Sequence, residues 1–432
     1  MEDTSSAVKA LTRRYTLVYA LGTFGDWIQG AYLYAAYQRH GLAKREIGYI
    51  YILGYAVSAT IGTSAAALGD VYGHKALVVT YGLTYALSCV LLRSSAMTAL
   101  VVSRVFGGVA YSLLFSSFES WVITQADDLK IDRAKLVGLF SVATFFNAAS
   151  AVAAGLIGNA VVELTGSYAM SWLGMDETRD GLEVAVDTDA SRMLIHSSNS
   201  YTPAFDVATL SLLCCALSAQ LLWKNIPRTD AAATLGAPGS PAPAKKSMDI
   251  FGAIRAVYES NELFRLGLAN SFYEAALHLF VFVWTPVLEK RYRGFGAVPY
   301  GMVFSTFMVC KMIGSQVFQK FGDRITAEKT LRLTLMGSAI SFFITVVIPS
   351  YWITLFAFCV FEFGLGIYWP TMSVLRAKYV PNKMRSTMTS VFRIPLNVLV
   401  VVSLLVAGEA SERILLALCT AMMIICLAFR VA

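Results

Sequence analysis

Apolar runs of roughly twenty residues, each closed by a short polar link, recur from one end of this chain to the other, and they decide what it can fold into. A bilayer core of about 30 Å needs about 20 apolar residues per helix. Twelve spans can be placed, over about 15–37, 47–69, 76–93, 97–122, 136–163, 204–224, 262–288, 298–319, 330–348, 351–375, 386–407 and 413–430. Composition supports lipid as the solvent: the chain is 56% hydrophobic and 15% charged, where soluble domains carry about 25% charge. Barrel strands would be half as long and would alternate. The expected fold is therefore all-α, with the chain crossing a membrane many times. The first fourteen residues are polar, and the apolar run after them is too long for a signal core and carries Asp26, so it is expected to be the first span.

The remaining polar stretches organise the chain. Residues 164–203 hold Asp176, Glu177, Arg179, Asp180, Glu183, Asp187 and Asp189. Residues 225–248 are rich in Pro, Ala and Gly and end in Lys245 and Lys246, the composition of a flexible linker. An amphipathic segment follows, with Ile250, Phe251, Ile254 and Val257 at helical spacing, suited to a membrane surface. Three domains are expected: an N-terminal six-helix bundle over 1–224 carrying the 164–203 loop, a linker with its helix over 225–261, and a C-terminal six-helix bundle over 262–432. With the N-terminus in the cytoplasm, about twice as many Lys and Arg residues fall on the cytoplasmic side as on the other. Both termini are then cytoplasmic and the acidic loop lies outside. The net charge of +7 is spread over these short loops, which speaks for topology and not for nucleic acid. The seven cysteines sit inside apolar runs without metal-ligand spacing and are expected to be packing residues.

Ionisable residues inside the spans are the strongest functional signal, because each costs about 2.5–3.5 kcal/mol or more near the bilayer centre. Asp26, Arg104, Glu274, Lys311, Glu362 and Arg393 are such residues. They are expected to face the bundle interior, where they either pair helices together or handle a substrate or proton. Asn270, Glu274 and His278 recur at every fourth residue and so share one helix face, where the histidine beside a carboxylate suits proton handling. Between spans two and three lies Gly69-Asp70-Val71-Tyr72-Gly73-His74-Lys75. Its acid, tight-turn glycine and following cation resemble the facilitator signature at that place, where the carboxylate latches one bundle, so Asp70, Gly73 and Lys75 are gating candidates. Val71 stands where a cation is usual. Phosphate loops, paired metal-ligand motifs and nucleophile elbows are not found, so neither an enzyme nor a bound cofactor or metal is expected. Span five has no central proline, unlike the drug antiporters of this fold.

The two halves share a weak pattern: Gly107-Gly108 followed by Tyr111 in span four, and Gly364 and Gly366 followed by Tyr368 in span ten. Longer motifs carry a specific resemblance. Span one has Gly25-Asp26-Trp27-Ile28-Gln29-Gly30, and span four has Ser112-Leu113-Leu114-Phe115 running to Phe118-Glu119-Ser120-Trp121. Span seven has Phe272-Tyr273-Glu274 and Trp284-Thr285-Pro286. Spans ten and eleven have Gly366-Ile367-Tyr368-Trp369-Pro370-Thr371-Met372-Ser373-Val374-Leu375-Arg376, then Phe392-Arg393-Ile394-Pro395-Leu396. In this order they resemble the molybdate-anion transporters of the major facilitator superfamily, over nearly the whole chain apart from 164–203 and 225–248. The resemblance implies twelve transmembrane helices in two six-helix bundles and uptake of the oxyanion molybdate by alternating access.

Residue chemistry fits such a cargo. A tetrahedral dianion needs several donors and positive charge, and arginine offers a planar fork of donors. Arg393 and Arg104 come from the two halves, Lys311 adds a third cation, and the hydroxyls of Tyr111 and Tyr368 extend the donor set. Asp26, Glu274 and Glu362, with His278, are candidates to compete with the anion and to couple its movement to protons. Two other readings stay open: a facilitator for a neutral solute such as a sugar, whose charges pair among themselves, and a receptor or scaffold that kept the fold and lost transport. The chain is expected to work as a monomer in lipid, by default in the plasma membrane. A tag inserted near Asp187 should react with impermeant reagents on intact cells displaying the protein; labelling only after permeabilisation would reverse the orientation.

Overall fold

The structure is a computed structural model that describes residues 2–131, 133–172, 201–224, 250–293, 298–380 and 385–428. Most of the 164–203 loop and the whole of the 225–248 linker lie outside the described residues. Thirteen α-helices are present among those described. They are α1 Glu2–Arg39, α2 Lys44–Tyr72, α3 His74–Leu91, α4 Met97–Asp128, α5 Arg133–Trp172, α6 Thr202–Leu222, α7 Ile250–Glu259, α8 Asn261–Arg291, α9 Tyr300–Phe321, α10 Ala327–Val347, α11 Tyr351–Tyr379, α12 Arg385–Glu409 and α13 Glu412–Ala428. Apart from the short amphipathic α7, each matches one expected span. Helices α1, α5 and α11 overrun the expected limits, because an apolar run ends where lipid ends whereas a helix stops only at a breaker. Nine of the helices are long and apolar enough, by length and composition, to cross a membrane.

The chain divides into two compact units. Unit 1 is Met1–Leu42, Leu53–Ala237 and Pro299–Ser305, and unit 2 is Ala43–Ile52, Pro238–Val298 and Thr306–Ala432. In unit 1, α1 packs on α5 and α6, and α3 packs on both α4 and α6. Aromatic rings fill its core. Phe118 meets the ring of Tyr81 edge-on at 5.2 Å, and Trp121 stacks on Trp223 at 3.7 Å. Lipid supplies little hydrophobic drive between helices, so shape-matched contacts and interhelical hydrogen bonds must hold them. Tyr81 donates to the Gly22 carbonyl at 2.9 Å, and Trp223 Nε1 donates to the Arg14 carbonyl at 3.2 Å.

In unit 2, α8 packs on α11, α12 and α13, while α10 packs on α11 and α13. Phe280 centres a cluster with Phe361 at 4.9 Å and Phe358 at 5.0 Å. The amphipathic α7 lies against α8 and α12. Ser260 ends it and caps α8, its Oγ accepting from the Leu263 amide at 3.3 Å.

Both units turn apolar stripes outward. Leu210, Leu213, Leu217 and Leu221 stand exposed along α6, and Leu333, Met336, Ile340, Phe343 and Val347 do the same along α10. At helical spacing these are continuous apolar faces that water would not tolerate and hydrocarbon does.

Helix α9 crosses α11 in unit 2 with backbone against backbone. A Cβ on Gly314 would land on the Phe363 carbonyl, and one on Gly366 would land on the Lys311 carbonyl and 2.9 Å from the Ser315 amide nitrogen. Only glycine permits this approach. Gly314→Ala or Gly366→Ala should therefore lower stability by roughly 1–3 kcal/mol, read as a lower melting temperature in detergent. Gly337→Ala on α10, where a Cβ meets nothing within 4 Å, should leave it unchanged or raise it slightly. Equal melting of all three variants would refute the close crossing.

Candidate functional site

In unit 1 the intramembrane charges come from α1 and α4. Asp26 on α1 is half-buried, and its Oδ1 accepts a hydrogen bond from Tyr85 of α3 at 2.7 Å. Arg104 on α4 is an electrostatic neighbour of Asp26 and also of Tyr37, Tyr55 and Tyr85. Local sequence fixes this placement. Gly108 lets α4 approach α2 so closely that a Cβ there would sit 2.7 Å from the Gly54 carbonyl oxygen. The guanidinium of Arg104 lies over Gly54, with Cζ 2.8 Å and Nη2 3.0 Å from where a Cβ would be. Ser88 and Ser103 exchange hydrogen bonds with each other's carbonyls, both at 2.8 Å, which locks the register of α3 on α4. The phenols gathered at Arg104 are thus Tyr37, Tyr55 and Tyr85. Tyr111, two turns along α4 from Arg104, is 38% exposed and stacks edge-on against Phe115 at 4.8 Å.

Unit 2 holds two charge groups. Lys311 of α9 and Glu362 of α11 are electrostatic neighbours, Glu362 being 4% exposed. The glycine crossing makes this pair: Gly366, one turn beyond Glu362, lies against the Lys311 backbone. The second group centres on Glu274 of α8, whose electrostatic neighbours are Arg376 of α11 and then Arg393 of α12, with Asn270 one turn away on its own helix. Arg393 is exposed, and Pro395 lies inside α12 two residues on. Tyr368 is fully buried and stacks on Tyr273 at 3.9 Å; its hydroxyl has no hydrogen-bond partner among the described residues. His278 turns its ring back on its own helix, with Nδ1 2.6 Å from the Glu274 carbonyl. A carbonyl only accepts, so Nδ1 carries the proton.

The turn between α2 and α3 is one residue long. Gly73 takes φ 87°, left-handed backbone that glycine adopts without strain, and Lys75 follows in the first turn of α3. The Asp70 side chain lies outside the described residues. Among those described, no group of three or more His, Cys, Asp or Glu residues is placed to hold a metal ion, and the cysteines are unpaired.

Sequence reading missed three contributors. Tyr85 lies in an apolar run among other tyrosines, and nothing in its spacing marks it. Gly54 reads as one more small residue of a span. Arg376 carried a signal, for it closes the span-ten motif, but the hydropathy limit at 375 places it in the loop and so outside the site.

Comparison with known proteins places this fold. A family model described as sugar transporters with 12 transmembrane segments matches residues 1–174 and 205–362, and the general major facilitator superfamily model matches 294–431. Curated relatives include a molybdate-anion transporter of Takifugu rubripes, 26% identical over 95% of this chain and 83% of its own length. Another, from Xenopus tropicalis, is 26% identical over 93% of this chain and 81% of its own length. Solved structures of like fold include the nucleoside transporter NupG, with TM-score 0.67 at 12% identity, covering 98% of each chain. A peptide transporter in complex with sulfate gives TM-score 0.69 at 13% identity, covering 97% of this chain and 92% of that one. The first family model spans well over half of the chain, and the chain belongs to that twelve-span family of the major facilitator superfamily: it is a multi-pass membrane transporter.

Proposed function

We propose that the chain carries molybdate or a similar tetrahedral oxyanion across its membrane by alternating access. The observation that carries this reading is the placing of cations on the long apolar helices beside carboxylates and phenols: Arg104 with Asp26 and Tyr85 in unit 1, and Arg376 and Arg393 with Glu274 in unit 2. An oxyanion needs that donor set, and the carboxylates hold its place while it is absent. The relatives named as molybdate-anion transporters match over almost the whole chain, which supports the same cargo. In this reading Lys311, Tyr111 and Tyr368 add to the binding donors, and Asp26, Glu274, His278 and Glu362 carry the coupling charge. Asp70, Gly73 and Lys75 gate the cytoplasmic side. The protein works as a monomer with both termini in the cytoplasm, in the plasma membrane.

A second reading is favoured by the description of the matching family as sugar transporters. Under it, Arg104 and Arg393 do no more than neutralise carboxylates. Uptake into proteoliposomes separates the two. Molybdate should enter and be competed by sulfate, with sugars without effect; entry of sugar and exclusion of the oxyanion would establish the second reading.

The role of Arg393 follows from its neighbour. Arg393→Lys keeps the charge and loses the fork, so molybdate uptake should fall by about tenfold or more. If Arg393 only balances Glu274, the double change Arg393→Gln with Glu274→Gln should transport like the wild type. Restored uptake in that double variant would remove Arg393 from the binding site.

A further inference from the structure

The Tyr85 hydroxyl occupies a place that the charges alone do not explain. Its single proton goes to Asp26 Oδ1 at 2.7 Å, although it is also an electrostatic neighbour of Arg104. Gly107 borders both groups: a Cβ at that position would lie 3.3 Å from Ser88 Oγ and 3.9 Å from both Arg104 Nη1 and Tyr85 Cε2, so the tyrosine ring and the guanidinium flank the same glycine. The reciprocal Ser88–Ser103 bonds hold this geometry, one residue from Arg104 and one turn from Tyr85. The glycine at 54 seats the other side of the guanidinium. The result is a cation and a phenol donor, rigidly set around one carboxylate that is itself an anion with two oxygen acceptors.

We propose that Tyr85 is a substrate donor of this transporter, which passes its hydrogen bond from Asp26 to the oxyanion when the anion reaches Arg104. The inference rests on the oxyanion reading above. A tyrosine hydroxyl has one proton and can donate to one acceptor at a time. Asp26 therefore stands in for the cargo in the empty site, and cargo and carboxylate exclude each other at Tyr85. Loading proceeds by exchange of one acceptor for another, with the phenol donor paired at either end. Asp26 sets how tightly the anion is held, because whatever neutralises it frees both the phenol and the guanidinium for the cargo.

The experiment measures equilibrium binding of molybdate to the purified full-length protein and to Tyr85→Phe, Asp26→Asn and the double variant. Wild type should bind. Asp26→Asn should bind more tightly, and Tyr85→Phe should weaken binding at least about tenfold in the Asp26→Asn background and by a smaller factor in the wild-type background, where the phenol gives up its bond to Asp26 on loading. A loss seen in the wild-type background and absent in Asp26→Asn would show that Tyr85 only positions Asp26, and would overturn the proposal. An affinity of the Asp26→Asn protein left unchanged by Tyr85→Phe would overturn it as well. Absence of binding by the wild type is a different failure: it strikes the oxyanion reading itself, and the inference falls with it. Melting temperatures report whether each variant folds. Should Tyr85→Phe fail to fold, a ring-fluorinated tyrosine at position 85 keeps the ring and strengthens the donor. Tighter binding in the Asp26→Asn background then supports the contact, and unchanged binding there overturns it.

Discussion

Hydrocarbon gives a charge nothing to bond to, so every ionisable group carried into the bilayer must find a partner within the protein or line a wet path. The interior of this transporter is arranged around that requirement. Asp26 has Tyr85 and Arg104 for neighbours, Glu362 has Lys311, and Glu274 has Arg376 and Arg393. Each of these acids has a base for an electrostatic neighbour, and the same neighbours that make the charges tolerable make them available. A carboxylate beside a guanidinium is a place where another anion can be exchanged.

Close helix crossings decide which charges meet. Gly54 and Gly108 bring α2 against α4 and leave the Arg104 guanidinium seated on bare backbone. Gly314 and Gly366 bring α9 against α11, with Lys311 and Glu362 within one turn of the crossing. Packing and electrostatics are therefore one problem in this fold: a methyl group at a crossing glycine would move two neighbouring charges apart as well as two helices. Where lipid gives no hydrophobic drive between helices, such crossings with their interhelical hydrogen bonds must supply the specificity.

The spans were legible because lipid imposes a length and a composition on each one, and the outward stripes of α6 and α10 express the same rule. Helix ends were less legible, since α1 continues through polar residues that no bilayer dictates. Charges inside spans announced themselves by their cost. Their partners did not. Tyr85 reaches Asp26 only through the register that the two serines impose on α3 and α4, and a register between helices leaves no trace in either sequence alone. Arg376 was assigned to the cytoplasmic loop because α11 outlasts its apolar run. Lys311 and Glu362 were each foreseen as buried charges, but their pairing depends on a crossing angle that the glycines permit and the sequence does not state.

The central claim is that the intramembrane cations serve a mobile anion, with the carboxylates standing in for it. A variant with Asp26, Glu274 and Glu362 all changed to the corresponding amides tests this most directly, by thermal melting of the purified protein with and without molybdate. The account predicts a less stable protein that molybdate stabilises more than it stabilises the wild type, because unopposed cations then bind the dianion more tightly. A variant that molybdate protects no better than the wild type would contradict the account and leave those cations with a purely structural role.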